Sequence, residues 1–136
     1  MTTALDRIIE YKRDEVAALK ASRSMASLLA DAAASAPPKG FARRMTEIVS
    51  LGENALICEL KRKSPSAGEI MPGADPVAIA KDYENGGAAC LSILTDFRSF
   101  GGSLGDLATV RAAVDLPLLR KEFMIDEIQV TEARAY

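Results

Sequence analysis

The chain has 136 residues, of which 49% are hydrophobic, which is enough for one domain of ordinary size with a buried core. Its 17 Lys and Arg residues and 19 Asp and Glu residues give a formal net charge of −2, which argues against a broad surface for binding nucleic acid. The absence of histidine excludes a His-based catalytic triad and a Cys/His metal site, so an enzyme without a metal ion fits these properties best.

The first residues carry no signal for export or membrane insertion. Residues 1–6 lack the basic start and the continuous apolar stretch of a signal peptide, and no apolar run is long enough to span a bilayer. We therefore expect a cytoplasmic protein that does not bind membranes.

Two helices are predicted before the first strand. Thr3 can cap the first, whose apolar positions recur on one face as far as Leu19. Ser24 can cap the second, which runs to Ala34 and is ended by the Pro-Pro-Lys-Gly sequence at residues 37–40. These helices would form either a loose extension or a lid over the end of a sheet or barrel.

From residue 55 onward, apolar strands alternate with amphipathic helices. The strands are predicted from continuous apolar runs, which are typical of parallel strands covered on both faces, at residues 55–60, 89–94 and 116–120. The helices that follow them are predicted to start after the capping residues Asp75, Ser103 and Asp126. Cys58 and Cys90 fall within two of the strands, where we expect both to be buried.

This alternation predicts an α/β fold with a parallel sheet and right-handed crossovers. A doubly wound sheet usually carries a glycine-rich phosphate turn after its first strand, whereas the turn here reads KRKSPSAG at residues 61–68. The pattern therefore favours a TIM (β/α)8 barrel, of which this chain would hold about three βα units. We expect a helical extension at residues 1–54 and the partial barrel at residues 55–136.

Charged residues stand at the carboxyl ends of the first and third predicted strands. Because strand side chains alternate, Glu59 and Lys61 share one face of the first strand, and Lys121 and Phe123 share one face of the third. Barrel enzymes place their catalytic groups at this end of the strands. We therefore predict that Glu59, Lys61 and Lys121 converge in a polar barrel mouth. The alternative is a structural ion pair between Glu59 and Lys61.

The loops after the first two strands contain further candidates. Phe100 would serve either as an aromatic wall for a planar substrate or as an anchor that holds its loop in place. Arg62 and Lys63 are expected to lie in a solvated basic patch, and Pro65 to shape the first loop.

Three blocks of sequence carry a family resemblance. They are CELKRKSPSAG at residues 58–68, LSILTD and FGGS at residues 91–96 and 100–103, and LLRKEFMID at residues 118–126. In their order and spacing they closely resemble the indole-3-glycerol phosphate synthase family of tryptophan biosynthesis, and the two leading helices match its N-terminal extension. The departures are Ala67, where the family often has lysine, and Glu122, where it commonly has aspartate.

The resemblance implies a decarboxylating ring closure of 1-(2-carboxyphenylamino)-1-deoxyribulose 5-phosphate to indole-3-glycerol phosphate, without a cofactor. It makes Lys121 the general acid that protonates the ribulose carbonyl. Lys61 would contact the substrate carboxylate, and Glu59 would orient the lysines or assist the dehydration. The implied substrate-binding residues, which line the pocket or pack against the anthranilate ring, are Ser64, Pro65, Phe100 and Phe123.

Members of the family continue through five more strands of the eight-stranded barrel, and these carry the general base and the phosphate-binding loops. We therefore expect this chain alone to be nearly inactive. Two alternatives remain open. One is a non-catalytic module that self-associates through open strand edges, and the other is a different phosphate-handling barrel lyase or isomerase.

Overall fold

The computed structural model describes residues 1–136 and contains six helices and five strands. In chain order these elements are α1 (Ala4–Ser22), α2 (Met25–Ala34), α3 (Phe41–Ser50), β1 (Ile57–Leu60), β2 (Lys63–Ser64), β3 (Gly68–Glu69), α4 (Pro76–Asn85), β4 (Cys90–Leu94), α5 (Leu104–Ala113), β5 (Leu118–Lys121) and α6 (Glu127–Ala135). None of the six helices combines the length and the apolar character that crossing a bilayer requires.

The main sheet is parallel and has the strand order β1-β4-β5. Its register pairs Glu59 with Ser92 and Leu94 with Lys121, so the carboxyl ends of the three strands lie side by side. The predicted α/β class with a parallel sheet is therefore confirmed. A short antiparallel hairpin, β2-β3, lies in the loop between β1 and α4 and is not predicted by the sequence patterns.

One face of the parallel sheet packs against α4 and α5. Strand alternation turns Leu60, Leu91 and Ile93 toward these helices, where all three side chains are buried. We call this side of the sheet the outer face. The opposite side is the inner face, which carries the side chains of Ile57, Glu59, Ser92, Leu119 and Lys121.

Side-chain caps start five of the helices at the residues that the sequence predicts. Each capping side chain accepts a hydrogen bond from a backbone N–H of the first turn, and the residues concerned are Thr3, Ser24, Asp75, Ser103 and Asp126. Each cap satisfies a donor that the helix cannot satisfy internally and stabilises the helix by about 1 kcal/mol. The predicted helix starts are therefore confirmed.

A third helix, α3, precedes the first strand, so the prediction of two leading helices is wrong by one. Its N-cap is Gly40, which has a φ of 70° and no side chain that could accept a hydrogen bond. After two prolines, such a glycine resembles a helix stop, although here it opens a helix. Helix α3 packs against β4, where the Phe41 carbonyl oxygen lies 3.8 Å from Sγ of Cys90.

The two cysteines differ in their burial. Cys90 is buried in β4 as predicted, and this burial raises the pKa of its thiol. Cys58 lies in β1 but is only half-buried, so the prediction of full burial is wrong for this residue. The reason is that β1 is an edge strand with a neighbouring strand on one side only.

Packing divides the chain into two compact units, one of Met1–Pro37 with Phe123–Tyr136 and the other of Pro38–Glu122. In the first unit, α6 packs against α1 and α2, with Val16, Leu28 and Ile128 in its core. The second unit holds the parallel sheet, the hairpin and the helices α3, α4 and α5. The sequence suggests a boundary at residue 54, which divides the chain into two consecutive segments. The first packed unit instead combines residues from both ends of the chain. The boundary at residue 54 stays a prediction.

Candidate active site

Glu59 on the inner face contacts two lysines at the carboxyl ends of β1 and β5. Nζ of Lys121 donates a hydrogen bond to Oε2 of Glu59 at 2.8 Å. Nζ of Lys61 lies 3.6 Å from Oε1 of the same carboxylate. The strand register places these groups together. Glu59 pairs with Ser92 on β4, and Leu94, the next residue of β4 on the same face, pairs with Lys121 on β5. The structure therefore brings together the three residues that the sequence singles out.

The two lysines remain open to solvent while they share the carboxylate. The side chain of Glu59 is 28% exposed, that of Lys61 36% and that of Lys121 54%. An ion pair at this exposure adds little to stability, because water screens the charges and the side chains lose freedom. Both ammonium groups therefore remain accessible from solvent.

Two opposing effects act on the Glu59 carboxyl group. Partial burial raises its pKa, whereas hydrogen bonds from Lys121 and Ser92 and the positive charges of Lys121 and Lys61 lower it. The lowering effects are larger in sum, so the pKa of Glu59 lies below the ordinary glutamate value. Glu59 is consequently ionised at neutral pH, and the two ammonium groups exceed its charge by one. The site therefore has a net attraction for anions.

Ser92 completes this cluster and is missed by the sequence analysis. Its hydroxyl, buried on β4, donates a hydrogen bond to Oε2 of Glu59 at 3.2 Å. The signal available in the sequence is a single polar residue within the apolar run at residues 89–94. That residue faces Glu59 only once the strand register is known, and the register comes from the three-dimensional pairing.

Arg62 fastens the loop after β1 to the start of α5, so the prediction that it lies in a solvated basic patch is wrong. Its guanidinium group makes a two-pronged ion pair with Asp106 and donates hydrogen bonds to the carbonyl oxygens of Gly101 at 3.1 Å and Ala74 at 3.2 Å. We call this set of contacts the Arg62 clamp. The hydrogen bonds to Asp106 raise the pKa of Arg62 above its ordinary value. Asp106 lies 44 residues away in sequence, so local patterns give no sign of the pair.

Ser64 and Pro65 lie in the hairpin that follows Arg62. The hydroxyl of Ser64 accepts a hydrogen bond from the backbone N–H of Ala67 at 3.1 Å, which closes the turn between β2 and β3. Pro65 is exposed within that turn. The contacts shown for Ser64 are therefore contacts of the turn itself, and a role of either residue in binding substrate stays a prediction.

Phe100 is half-buried in a loop that is organised around Asp96. The fully buried Asp96 carboxylate accepts hydrogen bonds from the backbone N–H groups of Ser99 at 2.7 Å and Phe100 at 3.2 Å. At Gly102, an added Cβ would lie 2.0 Å from the carbonyl oxygen of Leu94, so only glycine fits there. The loop position of Phe100 is thus fixed through its backbone, and this is compatible with either predicted role of its ring.

Phe123 belongs to the other compact unit, with α1, α2 and α6. Its side chain is half-buried, and its carbonyl oxygen accepts a hydrogen bond from Nε2 of Gln129 at 2.9 Å. This contact ties the segment after β5 to the first turn of α6. The role of the Phe123 ring in holding substrate stays a prediction.

Comparison with known proteins identifies the family. The family model for indole-3-glycerol phosphate synthase matches residues 5–136. The chain belongs to the indole-3-glycerol phosphate synthase family. Its curated relatives include the indole-3-glycerol phosphate synthases of Hyphomonas neptunium, 65% identical over 136 residues, and Laribacter hongkongensis, 47% identical over 135 residues. A third, from Aromatoleum aromaticum, is 46% identical over 135 residues.

The chain spans about half the length of these relatives. The matches cover 99% to 100% of this chain but only 51% to 52% of each relative. The family fold is a (β/α)8 barrel, and the parallel sheet with its helices is a partial barrel, which confirms the predicted fold class. The structure contains no group of three or more His, Cys, Asp or Glu side chains placed to hold a metal ion.

The Arg62 clamp predicts a loss of stability when its charge is removed. We expect Arg62→Met to lower the free energy of unfolding by about 2 kcal/mol, because Asp106 is then left half-buried without its partner. Lys63→Met, one residue along the same loop, is the matched control and is expected to change stability by less than about 0.5 kcal/mol. Urea unfolding followed by circular dichroism measures both, and equal effects would contradict the clamp.

The lowered pKa of Glu59 predicts a pH-dependent contribution to stability. Because its native pKa lies below the unfolded value, ionised Glu59 stabilises the fold above about pH 4.3, and this contribution is lost as the pH falls through the native pKa. The difference in unfolding free energy between the wild type and Glu59→Gln should therefore shrink on acidification. Glu69→Gln, on the exposed hairpin strand β3, is the control. A difference for Glu59→Gln that does not vary between pH 7 and pH 3 would refute this assignment.

Proposed function

We propose that this chain provides the proton-donating, carboxylate-binding half of an indole-3-glycerol phosphate synthase active site. The complete enzyme would convert 1-(2-carboxyphenylamino)-1-deoxyribulose 5-phosphate to indole-3-glycerol phosphate, carbon dioxide and water. The observation that supports this most directly is the Glu59 carboxylate between Lys61 and Lys121 at the carboxyl ends of parallel strands. Barrel enzymes assemble their chemistry at this end of the sheet.

In the proposed first step, the ring carbon that bears the substrate carboxylate attacks the ribulose carbonyl carbon. Negative charge develops on the carbonyl oxygen, and the Lys121 ammonium group donates a proton to it, which yields a hydroxyl group. The bond from the ring carbon to the carboxylate then breaks, carbon dioxide leaves, and the bonding electrons restore the aromatic ring. Loss of the hydroxyl group as water, with a proton from the neighbouring carbon, forms the indole double bond.

The charges of the cluster suit such a substrate. Two ammonium groups against one carboxylate leave a net positive charge, and the substrate carries a carboxylate and a phosphate. Lys61 holds Glu59 more loosely than Lys121 does, at 3.6 Å compared with 2.8 Å, so it is the lysine more available to a substrate carboxylate. Glu59, fixed by Ser92 as well, would keep Lys121 oriented toward the carbonyl oxygen.

The remaining roles are proposed from the family resemblance. Ser64 and Pro65 would line the pocket, and Phe100 and Phe123 would pack against the anthranilate ring. The general base and the phosphate-binding loops would come from the part of the family's length that this chain does not span. The partner proposed for the site is therefore a phosphorylated small molecule, and this chain alone would turn it over slowly.

Substitution of Lys121 tests the proposed function. In the complete synthase that contains this chain, Lys121→Met should lower kcat by about 10²- to 10⁴-fold, because the proton donor is lost. Lys81→Met, on the exposed side of α4, is the matched control and should leave kcat within about twofold. Fluorescence of the indole product measures the rate. A Lys121→Met enzyme with near-normal kcat would rule out Lys121 as the acid.

Self-association is a second candidate function, and it is favoured by the unpaired edges of β1 and β5. On the inner face, the side chains of Ile57 and Leu119 are 49% and 47% exposed, and both would be covered in a dimer. If this is the function, light scattering of the 136-residue chain should give the mass of a dimer, and Leu119→Lys should reduce it to that of a monomer. A monomer at every concentration would exclude it.

A further inference from the structure

Three polar side chains are buried together on the outer face where β4 and β5 end. The side chains of Arg120 and Glu122 are only 8% and 4% exposed, and Thr95, which follows β4, is buried as well. The Thr95 hydroxyl accepts a hydrogen bond from Nε of Arg120 at 3.1 Å and donates one to Oε2 of Glu122 at 3.1 Å. Arg120 and Glu122 also approach each other directly, at 3.8 Å. None of these groups takes part in the proposed reaction.

Burial of two opposite charges at this depth needs an explanation other than stability. Removing an ion from water costs several kcal/mol, and the attraction within the pair repays this cost only in part. In proteins, replacement of a buried ion pair by an apolar pair of similar size is often neutral or stabilising. The arrangement is therefore better explained by what it holds in place than by the energy that it contributes.

The residue held in place is Lys121, which lies between Arg120 and Glu122 in β5. Strand alternation turns Arg120 and Glu122 to the outer face and Lys121 to the inner face, where it meets Glu59. The backbone N–H of Thr95 donates to the carbonyl oxygen of Lys121 at 3.0 Å. Thr95 therefore fixes three consecutive residues, one through its backbone and two through its hydroxyl.

We propose that Thr95, together with Arg120 and Glu122, is the positioning unit for the Lys121 ammonium group. Its contacts on the outer face hold Arg120 and Glu122, the residues on either side of Lys121. These contacts therefore set the direction in which the Lys121 side chain leaves the strand. A proton donor must be placed within about half an ångström of its productive position, and a displacement of about 1 Å can lower the rate about 100-fold. This inference rests on the proposed role of Lys121 as the acid.

The decisive variant is Thr95→Val in the complete synthase that contains this chain, because it removes the hydroxyl and keeps the side-chain shape. We expect kcat to fall about 10- to 100-fold while KM changes less than about threefold, since binding does not depend on the direction of Lys121. Thr95→Ser, which keeps the hydroxyl, should restore most of kcat. Thr109→Val, which removes an exposed hydroxyl on α5, is the matched control.

A role in folding alone would give a different result. It would lower the melting temperature of Thr95→Val but leave kcat per folded enzyme unchanged, and that outcome overturns the proposal. If Thr95→Val does not fold, Glu122→Met replaces it, because this substitution keeps a side chain of similar length but removes the oxygen that accepts the Thr95 hydrogen bond. For that variant also, a fall in kcat at constant KM supports the positioning unit, and an unchanged kcat overturns it.

Lys121→Met, measured in parallel, separates this inference from the proposed function. If Lys121→Met keeps its activity, the proposed role of Lys121 is wrong, and the positioning unit is overturned with it. If Lys121→Met is inactive and Thr95→Val retains full kcat, the positioning inference alone is wrong.

Discussion

The alternation of side chains along short parallel strands is the constraint on which the rest of the second unit depends. In β5, Leu118 and Arg120 face the helices while Leu119 and Lys121 face the inner side. The same rule in β1 separates Leu60, buried in the core, from Glu59, which meets the lysines. A shift of one residue in either strand would exchange these faces, so the apolar core and the charged cluster fix each other's register.

Much of this arrangement follows from local sequence. The N-caps Thr3, Ser24, Asp75, Ser103 and Asp126 and the three apolar runs are short-range patterns with direct physical causes, and the structure bears them out. Helix α3 is missed because Gly40 offers no side-chain cap, and the Arg62 clamp because its partner is distant in sequence. Ser92 is missed because its function depends on strand register. Local patterns thus predict elements and faces, whereas the pairing of side chains requires the fold.

At the end of β5, the order of the elements along the chain no longer matches the way they pack. Helix α6 follows that strand as the third helix of the βα pattern, but within its own unit it packs against α1 and α2. Its start is fixed twice, by the cap at Asp126 and by the contact of Asp126 with Lys20 at 2.6 Å. Helices α1 and α2 share an apolar core with α6.

The contact at Gly102 limits which positions of the loop after β4 can change. The backbone of the loop after β4 passes so close to Leu94 that no side chain fits at this position. Evolution can therefore vary the chemistry of this loop only at its other positions, such as Phe97, which is 73% exposed. A loop that is restricted to glycine at one position but free to vary at an exposed one can acquire new side chains without moving the end of β4.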